Sequence, residues 1–144
     1  MKMISRRART ALGCLLTIGL FLSFEVGLRA WAGPGGHENV VFSSVLDNAP
    51  GSRLTAVVVS YGPGGKSPAH HHAGSVFAYV LSGSIRSENS ATGPAHVYNA
   101  GESFFEPVGS VHVVSENASL TQPATLLAVF VAQDGAQLTT PEHQ

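Results

Sequence analysis

Cysteine is nearly absent from this 144-residue chain, which has a single copy at Cys14. Downstream of it neither a disulfide nor a thiolate ligand is available, so any metal must be held by histidine, carboxylate or water. Methionine and tryptophan are confined to Met1, Met3 and Trp31 and give no cofactor signal. Membrane-length apolar runs are also missing. Ala11 to Phe24 is an apolar run of 14 residues, interrupted beyond its end by Glu25 and Arg29, whereas a spanning helix needs about 20. Preceded by Lys2, Arg6, Arg7 and Arg9 and followed by "AWA" at Ala30 to Ala32, this run has the layout of a bacterial signal peptide over residues 1–32. We therefore expect cleavage after Ala32 and an exported protein, periplasmic or secreted. Only an uncleaved leader would tie it to a membrane. The paired arginines leave both the general and the twin-arginine routes open. Cys14 lies inside the apolar run and not at its end, which argues against a lipid anchor.

Positive charge is the next shortage. After Ala32 only Arg53, Lys66 and Arg86 are basic, against eight acidic residues, a net charge of −5 with histidines neutral. Such a surface repels nucleic acid and anionic lipid, whose binding rests on basic patches.

Amphipathic helical periodicity is absent as well. Short β-branched and aromatic runs are separated by Gly, Pro, Ser and Asn clusters. The expected strands are Val40 to Leu46, Leu54 to Tyr61, Ala69 to His72, Ser75 to Leu81, Ser84 to Glu88, Ala95 to Tyr98, Ser103 to Glu106, Val111 to Ser115 and Ala124 to Ala132. Turn signals such as "GPGGKSP", "LSGS" and "NAG" fall between them. Many short strands at this spacing argue for an antiparallel sandwich or barrel, one all-β domain over residues 33–144. The ends "GPGGHEN" and "LTTPEHQ" read as loosely held tails. Phe77, Tyr79, Phe104, Phe105 and Phe130 read as core or pocket wall.

What the chain does have is histidine in one place, "HHH" at His70 to His72. Side chains alternate faces along a strand, so His70 and His72 share a face while His71 points away. Two imidazoles on one face can chelate one ion, and His112, in the apolar context "PVGSVHVVSEN", is the donor expected from another strand. A polar turn for the pair and a hydrogen-bonded core role for His112 are the plainer alternatives. His37, His96 and His143 carry no such pattern and read as surface residues. Asn117 to Ser119 form a glycosylation sequon, to which a bacterial leader gives no use.

The spacing resembles the two motifs of the cupin family. The first, G-x5-H-x-H-x3-4-E-x6-G, is met by Gly64, His70, His72 and Gly83. The second, G-x5-P-x-G-x2-H-x3-N, is met by Gly101, Pro107, Gly109 and His112, with Asn117 one residue late. The resemblance implies an antiparallel double-stranded β-helix, a jelly-roll barrel whose interior binds a divalent metal through imidazole and commonly a carboxylate. Zn, Fe, Mn, Ni and Cu all suit such ligands. It also implies that a homodimer through edge strands is compatible with the fold. One position departs from the family. Where the first motif has glutamate this chain has Val76, or Phe77 at the looser spacing. Either the three histidines act alone with more open positions, or another group substitutes, and Glu106, just before Pro107, is the candidate; a solvated rim carboxylate is its plainer reading. Function then divides between an exported metal-dependent enzyme, oxygenase-like, acting on a small organic molecule, and a non-enzymatic module that binds a metal or small ligand. A vestigial site is the third reading.

Overall fold

The computed structural model describes residues 35–142. The expected leader over residues 1–32, its cleavage point and His143 lie outside the described residues. Eleven strands run in the order β1 His37–Val45, β2 Ser52–Tyr61, β3 Lys66–Ser67, β4 His70–His72, β5 Ser75–Ser82, β6 Ser84–Asn89, β7 Gly93–Asn99, β8 Ser103–Glu106, β9 Val111–Asn117, β10 Ala124–Gln133 and β11 Thr139–Pro141. The described residues contain no helix.

All nine expected strands are present. β3 and β11 are additional, the first inside a stretch read as a turn and the second inside the C-terminal "tail". The described part of that tail is not loose: Thr139, Thr140 and Pro141 pair with His72, His71 and His70. Nor is the described part of the other end, where His37, Glu38 and Asn39 pair with Ser60, Val59 and Val58. In both places a strand is made by its partner and not by its own pattern. Pro141 is tolerated because β11 is an edge strand.

The strands form two antiparallel sheets. One has the order β1-β2-β10-β5-β8; the other β11-β4-β9-β6-β7, with β3 also paired to β9. The chain crosses from the first sheet to the second at Gly83, between β5 and β6. This glycine has φ 69°, and a Cβ there would lie 2.6 Å from the Pro123 carbonyl oxygen, so the corner admits no side chain.

Between the sheets lies an apolar core that includes Val57, Val59, Val76, Ala78, Val80, Ile85, Leu126 and Phe130. Val80 and Ile85 are fully covered, each contributing about 1.5–3 kcal/mol by leaving water. Alternation decides which aromatic residues enter. Phe104 and Phe130 face inward. Phe77, Tyr79 and Phe105 do not: they stand on the outside of the five-stranded sheet, 38–51% exposed, because their neighbours Val76, Ala78 and Glu106 occupy the inner face. Asn117 is buried too, its side-chain amide donating to the Gly62 and Gln122 carbonyls. The sequon asparagine is thus a loop clamp that has no free amide to offer.

Candidate metal centre

The site is built where the two sheets converge. β4 and β9 pair with His70 directly opposite His112, and His72 follows two residues on, on the same face. The ring centroids of His70 lie 4.7 Å from those of His72 and 5.0 Å from those of His112. One ring nitrogen from each histidine lies within 4.8 Å of the other two. His71 points away as expected, its Nδ1 2.8 Å from Glu142 Oε1 in a half-exposed surface pair.

The opposite sheet supplies the carboxylate. In the β5–β8 pairing, Val76 is in register with Glu106. The position at which the family motif carries glutamate therefore has this chain's glutamate as its cross-strand neighbour, facing the same interior. Glu106 is 3% exposed. Its Oε2 accepts a hydrogen bond from His112 Nδ1 at 3.0 Å and lies 3.7 Å from His72 Nε2. Glu106 is thus a buried member of the cluster and not a rim carboxylate.

Hydrogen bonds fix each ring. His70 Nδ1 is 2.7 Å from the Pro68 carbonyl, and His72 Nδ1 is 3.1 Å from the Leu138 carbonyl and 3.2 Å from Thr139 Oγ1. A carbonyl only accepts, so Nδ1 of both rings carries the proton and the Nε2 lone pair is left for the interior. His112 Nε2 is 2.9 Å from Ser87 Oγ. Asn89 donates to Ser110 Oγ at 2.9 Å and more weakly to Glu106 Oε2 at 3.4 Å. Ser110 Oγ in turn donates to the Pro107 carbonyl. Among the described residues no buried polar side-chain atom lacks a partner.

Burial lowers the His70 and His72 pKa values and favours neutral imidazole. For Glu106 burial pushes the other way, but the hydrogen bond and charge of His112, with His72 and His70, outweigh it and hold the carboxyl below its usual range. A neutral imidazole pair beside an ionised carboxylate is the protonation state that a divalent cation requires of its ligands. The donor set therefore fits a metal ion: three imidazoles and a carboxylate, buried, with two rings already held in the ligating tautomer.

A cavity of about 40 Å³ adjoins the cluster, room for a few water-sized groups. Val57, Val76, Phe104, Leu126 and Phe130 form its apolar walls, and Glu38 reaches it from β1. Tyr61 also lines it, its hydroxyl 2.8 Å from Ser67 Oγ and 3.0 Å from Ser115 Oγ. Burial raises its pKa, so the phenol stays protonated.

Sequence reasoning placed the three histidines and Glu106 but missed Ser87, Asn89 and Ser110. A signal was present for two of these. Alternation from the buried Ile85 puts Ser87 and Asn89 on the inner face of β6, and polar residues at inward positions imply buried partners.

Comparison with known proteins agrees with this architecture. The sequence model of the cupin domain matches residues 57–130, just over half the chain and all four site residues. No curated protein matches by sequence. Among solved structures, a Klebsiella pneumoniae protein with a double-stranded β-helix domain is similar at TM-score 0.59 and 21% identity, covering 81% of this chain and 90% of its own. The DMSP lyase DddQ from Ruegeria pomeroyi is similar at TM-score 0.58 and 20% identity, covering 76% of this chain and 54% of the lyase. KdgF from Halomonas gives TM-score 0.56 and 20% identity, over 74% of this chain and 86% of that one. The present chain thus spans about half of the lyase and nearly the whole of the two smaller proteins, at identities that speak for the fold alone. With the motif spacing, the two-sheet barrel and the family match in agreement, the chain belongs to the cupin domain family.

Proposed function

We propose that this domain binds one divalent transition metal through His70, His72 and His112, with Glu106 completing the set, and uses it to act on a small organic molecule. The observation that carries the reading is the convergence of three imidazoles and an ionised carboxylate beside an apolar cavity. A bound metal would supply Lewis acidity and, for iron, manganese or copper, one-electron chemistry toward O2. The chain's own residues supply the rest. The Pro68 and Leu138 carbonyls orient the two rings of β4, Ser87 holds Nε2 of His112 so that Nδ1, the nitrogen facing Glu106, would give up its proton to ligate, and the apolar walls limit water.

The cavity lining also bears on the ligand. It contains no lysine or arginine, while Glu38 and Glu106 are both carboxylates. With no cationic side chain in the lining, an anionic ligand would depend on the charge of the bound metal alone. Fold neighbours include oxalate oxidase, described with the substrate analogue glycolate, and a DMSP lyase, so the architecture does serve small organic molecules. Fold alone does not select among them.

Elemental analysis of protein purified without a histidine tag tests the reading. About one equivalent of metal per chain is expected, with its loss in His112→Ala; a fraction of an equivalent even after reconstitution would leave the site vestigial. The tightness of the cavity favours a second reading, a periplasmic or secreted module that holds a metal or a very small ligand without turnover. Metal-loaded protein that consumes neither O2 nor any compound of a small-metabolite panel would support it.

A further inference from the structure

The cavity beside the histidines holds a second polar group, which metal binding does not use. Tyr61, Ser67 and Ser115 all line it, and the Tyr61 hydroxyl is bonded to both serines, at 2.8 Å and 3.0 Å. Tyr61 and Ser115 are buried. The Tyr61 ring is held in place by the chain just before β1, so close that a Cβ on Gly36 would stand 2.8 Å from Cε1.

A local irregularity aims these groups at the same space as the histidines. Ser115 is three residues from His112 and would face the opposite side of a regular strand. In the β6–β9 pairing, however, Asn89 is opposite His112 and Glu88 opposite Val114, so Val113 is an extra residue. Such a bulge shifts the alternation by one and turns Ser115 inward. β3 and β4 keep one register with β9, Ser67 opposite Ser115 and His70 opposite His112. Hydroxyls and imidazoles thus form two tiers of one wall, about 10 Å apart along the strands.

The three hydroxyls carry three protons, and the two bonds among them use two. They make no other side-chain hydrogen bond among the described residues. Whichever way they rotate, one O–H is left without an acceptor on a group that lines the cavity. A ligand that covered this proton without accepting it would lose about 5–100-fold in affinity.

We propose that Tyr61, Ser67 and Ser115 are a second recognition point, the donor for a carbonyl oxygen at the end of the ligand away from the histidines. The proposal rests on the reading of this cavity as the ligand site and adds the class of molecule, a small uncharged carbonyl compound or one whose charged end lies at the metal. A ligand hydroxyl suits the cluster less well, since it would bring another proton to a group that already has one to spare. A carboxylate suits it less well too. Glu38 lies on the inner face of β1 opposite Val59 and lines the same cavity, so a second negative charge at this end would be repelled.

The test is nuclear magnetic resonance titration of the protein, with and without zinc, using acetone and 2-methylpropene. The two have the same shape, and only acetone accepts a hydrogen bond. The quantity read is the ratio of their affinities, compared between wild type and variants so that the different hydration of the probes cancels. The ratio is expected to fall at least 5-fold in the combined variant Tyr61→Phe, Ser67→Ala, Ser115→Ala, which has no donor left, and to stay within two-fold in Glu38→Gln. Circular dichroism verifies folding. Should the combined variant not fold, the wild type still decides: a nuclear Overhauser contact between the acetone methyls and the Tyr61 ring is expected, and its absence overturns the proposal. So does a ratio that the combined variant leaves unchanged, a ratio that Glu38→Gln lowers as much, or acetone that fails to bind at 100 mM. A ratio that follows zinc and not the hydroxyls puts the carbonyl on the metal and also overturns it. Zinc titration reads the histidines separately. A protein that binds no zinc yet shows the expected fall in ratio loses the metal reading and keeps this one.

Discussion

Glu106 and Val76 show how a carboxylate can change strands without leaving a site. Cross-strand neighbours have Cβ atoms about 5 Å apart, so a glutamate at either position reaches the same interior. If Glu106 ligates, Glu106→Gln should weaken metal binding by more than about 10–100-fold, the range for losing a hydrogen-bond partner of a ligand, with the fold intact by circular dichroism. Val76→Glu alone should destabilise the metal-free protein, because two buried carboxylates side by side cannot both be ionised cheaply. The exchange Val76→Glu with Glu106→Val should recover metal binding relative to Glu106→Val alone. Titration with zinc and thermal melts of the four variants beside the wild type check all three statements, and an exchange no better than Glu106→Val would sink the transposition. The histidines were legible in the sequence because alternation is a local rule. Glu106 was legible only as a candidate, since its register with Val76 depends on a pairing between β5 and β8 that no local pattern specifies.

The shortest strands matter for the site out of proportion to their length. β11 has three residues, yet it brings the Leu138 carbonyl and Thr139 Oγ1 to His72 Nδ1. Nothing in "LTTPEHQ" announces this; the segment is a strand only because β4 presents a free edge beside it. Truncation after Gln137 should therefore lower metal affinity about 10-fold or more while the two-sheet fold persists, as measured by zinc titration and far-ultraviolet circular dichroism. An unchanged affinity would mean that β11 merely covers β4. The eight longer strands were legible because each carries β-branched or aromatic residues bounded by turn residues, whereas β4, three histidines, was legible through its motif. The outward placement of Phe77, Tyr79 and Phe105 was not, because aromatic residues in a strand look the same on either face until a neighbour is known to be buried. Ser87 is the converse case, a small polar residue on the core side of β6. Ser87→Ala would leave His112 Nε2 without its partner and should cost about 1–3 kcal/mol by thermal or urea unfolding of the apo protein.

Across the whole molecule, these buried groups tie folding to pH. His70 and His72 both titrate lower in the folded chain than in the unfolded one, through burial, and Glu106 does so through its histidine neighbours, against the effect of burial. In each case the unfolded chain holds more protons in the intervening range, so stability falls as pH falls. The loss begins near pH 6.5, where a free histidine takes up its proton, and Glu106 adds to it below about pH 4.5. An opposing effect exists, since acid discharges a chain carrying net −5 and relieves its self-repulsion. At 0.15 M salt the screening length is about 8 Å, which weakens that relief between exposed groups far more than it weakens interactions inside the barrel. The melting temperature of the metal-free protein should therefore drop steadily between pH 7 and pH 5. His70→Gln with His72→Gln should flatten that slope whatever it does to stability at pH 7, because the groups that take up the protons are gone. Metal loading should steepen it, since protons then compete with the ion for the same ring nitrogens. Calorimetry of the three samples at several pH values decides the matter. A slope untouched by the double substitution would place the acid-sensitive groups elsewhere in the fold.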